Sequence, residues 1–473
     1  MEDFAAYHAA VRWIQSNIRG PADTPAEHPL YTPEERHRRQ FARLDRFLGL
    51  LHHPERRFAP IHVAGTSGKG STAVMIASIT QAAGQRTGLH IKPYLQTPLE
   101  KLLVNGRPMN VDRFVHLVSA VRSQVEHFNA VSPEGPLRYG ELWVTLTFAA
   151  YAAERVDVGV VETGVGGRWD RTNVITPVVS VINRIGFDHV RSLGPTLADI
   201  AAHKAGIIKP GVPVVVAEQA PEAMEVIVEE AHRRSAPLIV AERDYTVQAP
   251  DFGRAGSRFG YEDQFGRIPD LSLPLLGRHQ VANAALAIAA ARVLGNTLAI
   301  DERAVRDGLA TVRFPGRLER MQHQPEVLLD GAHNGQKAEA LLGALRELRR
   351  GRRAVLVLGV LASHQAEDVV RVLAPFADAI VCTATDVIGK AATPPDELAE
   401  LCRPYCRNVV TAPHASAALD AAIADAGPDG LVCATGSLYL VGEARERWVS
   451  EVDILRTAWG TEEDPLPATL AVV

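Results

Sequence analysis

Residues 64–72 read "AGTSGKGST". It follows a short β-rich run, "APIHV", and continues into "AVMIASITQAAG", whose apolar residues recur at helical spacing up to a glycine stop. In the order strand, glycine loop, helix, the helix-start N–H groups point at whatever anion the loop encloses. Gly65, Gly68 and Gly70 let the backbone approach phosphate oxygens, with Thr66 and Ser67 between them. Lys69 adds the matching charge, and Ser71 offers a hydroxyl to a metal ion bridging those oxygens. A glycine-rich turn without a ligand is the competing reading, and the lysine and serine in sequence favour phosphate. The loop departs from the common pattern G-x-x-x-x-G-K-[ST] in that Gly70 separates Lys69 from Ser71.

Downstream, "RVDVGVVETGVGG", "VVSVINRIGFDH" and "GVPVVVAE" are apolar, β-branched runs separated by polar or helical stretches. Near-continuous apolar strands alternating with helices predict a parallel sheet covered on both faces, with ligands gathered beyond the carboxyl ends of its strands. Glu162, Asp188 and His189 fall at such ends. A second α/β series starts after "FPGRLERM" and runs through "EVLLDGAHN", "RAVLVLGVL", "DAIVCTAT" and "GLVCATGS". The expected organisation is therefore two domains, 1–313 and 314–473, with "FPGR" (314–317) as the hinge. Two helices joined by a Pro-rich loop are expected before the glycine loop, and a loose tail after Thr461.

A chain of 473 residues exceeds what one core usually organises. Its net charge of −5 argues against a non-specific nucleic-acid binder, which carries a basic excess. The N-terminus has no apolar run of signal-peptide length and no later stretch approaches a membrane span, so the expected location is cytoplasmic. Cys382, Cys402, Cys406 and Cys433 lack zinc-site spacing and read as reduced, buried thiols.

Several residues can carry chemistry. Glu162, just past an apolar strand in "ETGVGGRWDRTN", is either a turn carboxylate or an oxygen ligand for Mg²⁺, which needs only one or two protein carboxylates. His189 in "FDHV" is commonplace alone, but with Ser71 and Glu162 it completes a candidate metal site. Lys204 in "AAHKAGIIKPG" reads as a surface lysine snorkelling from a short helix. In the second series, "DGAHN" places Asp330 and His333 at a strand end, and Arg317 in the hinge reaches either a nucleotide or an interdomain carboxylate.

Taken in order, these motifs resemble the Mur ligase superfamily, specifically its folylpolyglutamate synthase and dihydrofolate synthase branch. The stretches that carry the resemblance are "HVAGTSGKGS", "GELWVTLTFAAYAAERVDVGVVETGVGGRWDRTNV", "INRIGFDHVRSLGPTLADIAAHKAGIIKPG", "GRHQVANAALAIAA", "FPGRLE", "LLDGAHN" and "TGSLYLVGEA". The family's loop has the form G-T-x-G-K-G-[ST], with the extra glycine included. The resemblance implies an α/β fold, a P-loop parallel-sheet ATPase domain followed by a smaller Rossmann-like domain. It also implies an ATP-dependent amide ligase: ATP phosphorylates a substrate carboxylate, and the amino group of L-glutamate attacks the acyl phosphate.

Carried over position by position, Ser71, Glu162 and His189 would hold one Mg²⁺. Lys204 would be the lysine that the family carbamylates to ligate a second ion. Asn283 and Arg317 would contact ATP, Asp330 its nucleoside part and His333 its terminal phosphate region, with Lys69, Lys204 and His333 the catalytic set. The implied partners are small molecules: ATP, L-glutamate and a folate-type carboxylate, met by a monomer.

The departures concern the acceptor. Where the family has a T-S-P-H-L-type segment before an E-R pair, this chain reads "IKPYLQTPLEK" (91–101), so Lys92, Pro93 and Tyr94 form the expected substrate-binding segment with a new charge and a new ring. "VLVLGVLASHQAED" lacks the family's D-K-D, and His203 stands where glutamate is usual. An amide ligase for another carboxylate and a non-catalytic ATP-binding paralogue are the alternative readings. A dinucleotide-dependent oxidoreductase is disfavoured, because "GVGGRWD" lacks G-x-G-x-x-G and the acidic residue that should follow it.

Overall fold

The structure, a computed structural model, describes residues 4–18, 32–362, 366–387 and 390–457. Most of the "ASHQ" segment and the tail after Thr461 lie outside the described residues.

The first sheet has eight strands, in the order β4-β3-β2-β5-β1-β6-β7-β8. They are β1 (Ala59–Ala64), β2 (Thr87–His90), β3 (Leu103–Val104), β4 (Arg107–Pro108), β5 (Val158–Glu162), β6 (Val179–Ile182), β7 (Val214–Val216) and β8 (Leu238–Val240). All pairings are parallel except those of the short edge strands β3 and β4. Consecutive residues Val160 and Val161 enter two different core clusters, so both faces of β5 are covered, which is why the strand reads as unbroken apolar sequence.

A feature the sequence reading passed over is a three-stranded antiparallel sheet of β9 (Tyr245–Gly253), β10 (Gly256–Asp263) and β11 (Gly266–Leu273). Its strands are half polar. Only one face packs on the core, through Phe259, Tyr261, Leu271 and Leu273, and the alternation is weak beside the apolar runs around it.

The second α/β unit has a six-stranded sheet of order β12-β13-β17-β14-β15-β16. Its strands are β12 (Glu319–His323), β13 (Glu326–Leu329), β14 (Ala354–Leu358), β15 (Ala379–Cys382), β16 (Val409–Thr411) and β17 (Leu431–Thr435). Five run parallel and β12 pairs antiparallel at the edge. Leu356 and Leu358 face one core cluster and Val355 and Val357 the other. The four cysteines are buried and unbridged in this unit, as expected of reduced thiols.

The helix Pro33–Leu50 is tied to the helix Tyr139–Ala153 by a fully buried bidentate pair, Arg43 to Glu141 at 2.8 and 3.0 Å. Arg43 also donates to the Glu134 carbonyl at 3.0 Å. Removing one partner of such a pair strands a buried charge, at a cost of roughly 3–5 kcal/mol. This pair fixes the start of the second helix, and with it Tyr139, at the edge of the site described next.

Candidate active site

The carboxyl ends of both sheets open into one cavity of about 1130 Å³, lined from the first unit by Lys69, Glu162 and Asn183 and from the second by Asp330, His333 and Lys337. The phosphate loop forms its floor. Gly65 (φ 146°) and Gly68 (φ 84°) hold backbone conformations that a side chain resists, and a Cβ at Gly68 would lie 2.7 Å from the Asn183 amide nitrogen. Gly70 has a different reason to be glycine: a Cβ there would meet the Phe314 ring at 2.9 Å. The extra glycine of the loop is where Phe314, in the segment "FPGR" that precedes the second sheet, packs against it.

The loop is held from behind. Thr66 donates its amide to the Arg184 carbonyl and its hydroxyl to the Gly186 carbonyl, both at 2.9 Å. Asn183 donates to the Thr72 hydroxyl at 2.7 Å and to the side-chain oxygen Oδ1 of Asn283 at 3.2 Å, so Asn283, on the helix His279–Val293, stands directly over the loop. Ser67 donates to Gln336 of the second unit at 3.0 Å, which ties the floor to the opposite wall.

Glu162 ends β5, buried, with its carboxylate accepting from the Lys92 amide at 3.0 Å and lying 3.9 Å from the Lys69 ammonium. Burial raises its pKa above the usual carboxylate value, against the pull of Lys69 and of the Lys92 amide. Ser71 is buried one turn into the helix Lys69–Ala82. His189 lies in the loop after β6, half-exposed, with Nε2 3.7 Å from Asp188; burial lowers its pKa, which favours the neutral ring, and Asp188 opposes that.

A hydroxyl, a carboxylate and a neutral imidazole on one cavity beside a phosphate loop fit an ion that takes most of its ligands from phosphate and water. Among the described residues no group of three or more His, Cys, Asp and Glu side chains is arranged to hold a metal by itself.

Lys204 overturns its surface reading. It is 3% exposed, and its ammonium donates to the Gly65 carbonyl at 2.7 Å, directly behind the loop. The helix Leu197–Ala205 turns this face inward because Ile200, Ala201 and Ala205 on it belong to the core. Burial, reinforced by Lys69, drives its pKa well below the usual lysine value. As a free ammonium it is a donor and cannot ligate a metal.

On the second wall, Asp330 follows β13, and its carboxylate accepts from the amides of Leu318 at 3.0 Å and Ala332 at 2.8 Å. Arg317 lies within electrostatic reach of both Asp330 and Glu162, with its guanidinium over the Phe314 ring at 5.5 Å. Neither carboxylate is close enough for an ion pair with Arg317 among the described residues. His333 Nδ1 sits 2.8 Å from the Gly331 carbonyl and Nε2 2.9 Å from the Lys337 ammonium. A carbonyl only accepts, so Nδ1 carries the proton and Nε2 accepts from Lys337. The cation that the sequence reading missed is Lys337, which lies in the first turn of the helix Gly335–Arg349, four residues after His333 in the preceding loop.

The far end of the cavity is aromatic and basic. Lys92 reaches Asp170 at 3.7 Å, and Pro93 follows through a cis peptide. Thr172 and the Gly164 amide hold Asp170 in place. The Tyr94 ring meets Tyr439 of the second unit edge-on at 6.4 Å. Lys101 lies over the rings of Tyr94, Tyr139 and Trp143 at 5.2, 4.9 and 4.6 Å and donates to the Tyr139 hydroxyl at 3.1 Å. Burial, then Lys92 and Lys390, push Lys101 down to about 7. Tyr139, Tyr439 and Lys390 come from three remote segments, and no local pattern marks them.

Two Mur ligase domains match the chain: the Mur ligase middle domain over residues 63–291 and the glutamate ligase domain over residues 316–438. With the phosphate loop, the paired α/β units and the cavity between them, they define a Mur-type ligase. Within that class the chain belongs to the folylpolyglutamate synthase/dihydrofolate synthase family. It is 33% identical to the dihydrofolate synthase/folylpolyglutamate synthase of Bacillus subtilis over 94% of this chain and 99% of the relative. Its fold matches that of the Mycobacterium tuberculosis folylpolyglutamate synthase complexed with ADP, with a TM-score of 0.85, 32% identity and coverage of 94% and 99% of the two chains. A further match is a complex of FPGS with AMPPCP and folate, with a TM-score of 0.75, 30% identity and coverage of 93% and 99%.

Proposed function

We propose that this protein is an ATP-dependent ligase that adds L-glutamate to the carboxylate of a folate-type acceptor, dihydropteroate or a folate already carrying glutamate. The observation that carries the reading is a single cavity with a phosphate loop at one end and an aromatic, basic pocket at the other. A carboxylate entering from the basic end arrives at the terminal phosphate held by Lys69, Ser71 and the loop amides, whose positive charge offsets the repulsion between two anions. The activated acid then meets the glutamate amine where the two units shield it from water.

In this reading Gly65 to Ser71, Asn283, Arg317 and Asp330 bind ATP, and Lys92, Pro93 and Tyr94 seat the acceptor. Ser71, Glu162 and His189 would hold Mg²⁺, which neutralises phosphate charge when bound. Lys204, buried with its basicity suppressed, is poised to react with CO₂, and as a carbamate it would become an anionic ligand for a second ion. The domains divide at 313/314, and the working form is a cytoplasmic monomer. Among the described residues no helix is long and apolar enough to cross a membrane.

The test is to incubate the protein with ATP, Mg²⁺, glutamate and a panel of pterin and non-pterin acids, follow phosphate release and weigh the products. Glutamate addition to dihydropteroate or tetrahydrofolate is the expected result. A second reading, a ligase for a different carboxylate, draws on Lys92 and Tyr94 standing where the family has serine and histidine. Activity with other acids alone would select it, and nucleotide binding without turnover on any acid would mark a non-catalytic paralogue.

A further inference from the structure

His333 cannot be the group that meets the terminal phosphate while its ring is held as it is. Nδ1 is committed to the Gly331 carbonyl at 2.8 Å, and Nε2, the acceptor nitrogen, faces the Lys337 ammonium at 2.9 Å. A neutral imidazole so arranged has no donor left for a phosphate oxygen, whereas the ammonium opposite it has three and uses one. Lys337 lines the same cavity as Lys69 but enters from the second unit, from the first turn of the helix Gly335–Arg349. Among the described residues no carboxylate lies within ion-pair distance of it. Burial and the nearby Lys69 push it down to about 7, and Asp188 opposes them. An anion placed between the two ammoniums would relieve that repulsion and favour the charged form of Lys337.

We propose that Lys337 is a catalytic residue, the cation that the second unit presents to the phosphoryl group in transit, and that His333 is a positioning residue that aims it. The inference rests on the ligase reading above. In the step concerned, an acceptor carboxylate oxygen bonds to the γ-phosphorus, and the bond from that phosphorus to the β,γ-bridging oxygen breaks, its electron pair leaving with ADP. No proton is transferred. The charge that grows on the equatorial and leaving oxygens is met by Lys69 from one side and Lys337 from the other, so the site is complete only when the two units are together.

The experiment compares wild type, Lys337→Met and Lys337→Arg in two measurements made with Mg²⁺ present. Calorimetry gives the affinity for ADP alone and for ADP with fluoroaluminate, a mimic of the phosphoryl group in flight. Wild type should bind the pair much more tightly than ADP, Lys337→Met should keep its ADP affinity within about 3-fold while losing about 10²-fold of the fluoroaluminate gain, and Lys337→Arg should retain most of it. An equal gain in wild type and Lys337→Met overturns the proposal, as does no gain in wild type or a parallel loss of ADP affinity. The second measurement is phosphate release with folate-type acceptors, where kcat should fall about 10²-fold in Lys337→Met with KM for ATP little changed. Wild type that releases no phosphate with those acceptors, yet shows the Lys337-dependent fluoroaluminate gain, would refute the folate reading and leave Lys337 in its role.

Discussion

The two ends of the cavity are built by opposite means. At the phosphate end, one continuous loop supplies backbone groups, a lysine and a serine. Lys204 braces it from behind at 2.7 Å, and Asn183, bonded to Thr72 at 2.7 Å, also holds Asn283 over it at 3.2 Å. At the acceptor end almost nothing is backbone. Lys92, Tyr94 and Lys101 meet Tyr139, Tyr439 and Lys390, brought together from both units. The difference teaches that a fixed chemical group such as phosphate can be held by a local motif, whereas an acceptor's shape is read by side chains that only the assembled fold brings near each other.

If that contrast is right, damage at the phosphate end should stop turnover whatever the acceptor, and damage at the far end should change which acceptor is used. The largest loss is expected for Lys69→Ala, about 10³-fold in phosphate release with every acid tested. A loss confined to one acceptor would contradict the division of labour.

Lys204→Ala should cost about 10²-fold. Added bicarbonate should not restore it, because no amine remains to carry a carbamate. Turnover equal to wild type would refute a ligand role, and the intact mass of wild type in bicarbonate should rise by one CO₂ at this lysine.

Gly68→Ala forces a side chain into a left-handed backbone and toward Asn183 and Asn283. A cost of about 1–3 kcal/mol in urea unfolding is expected, together with weaker nucleotide binding.

The smallest effect belongs to the acceptor end. Lys101→Gln should raise KM for an anionic acceptor several-fold, on the order of 1 kcal/mol, and leave KM for ATP unchanged. Acceptor affinity should also fall as pH rises through about 7, since Lys101 attracts an anion only while protonated and loses its proton there. The groups facing it are Lys92 and Lys390, which repel its charge, and the rings of Tyr94, Tyr139 and Trp143. Lys101→Arg keeps its charge across that range and should flatten the profile.

Much of the molecule was legible before folding was considered. "AGTSGKGST" between a β-rich run and a helical one specifies a phosphate loop because the anion, the glycines and the helix start interact within a few residues of one another. The apolar runs around Val160 and Leu356 reveal parallel strands because both of their faces are buried, which leaves no polar alternation to read. The residue pattern alone put Lys204 at the surface, and only the family resemblance read it as a buried group, for the converse reason. A lone lysine on a short helix has the same local pattern whether it points to solvent or to the Gly65 carbonyl, and only the packing of Ile200, Ala201 and Ala205 decides which. The sheet of β9 to β11 was passed over because its outward residues are polar and its inward ones few.

By itself, then, the sequence determined the phosphate loop, the order of the two α/β units and the family to which they belong, since each is written in contiguous residues whose physics is local. Tertiary structure alone decided that Phe314 packs on Gly70, that His333 turns its ring to hold Lys337, and that tyrosines from distant segments close around Lys101. Those relations depend on distances between parts of the chain far apart in sequence, and they arise only when burial of the two cores brings the units face to face.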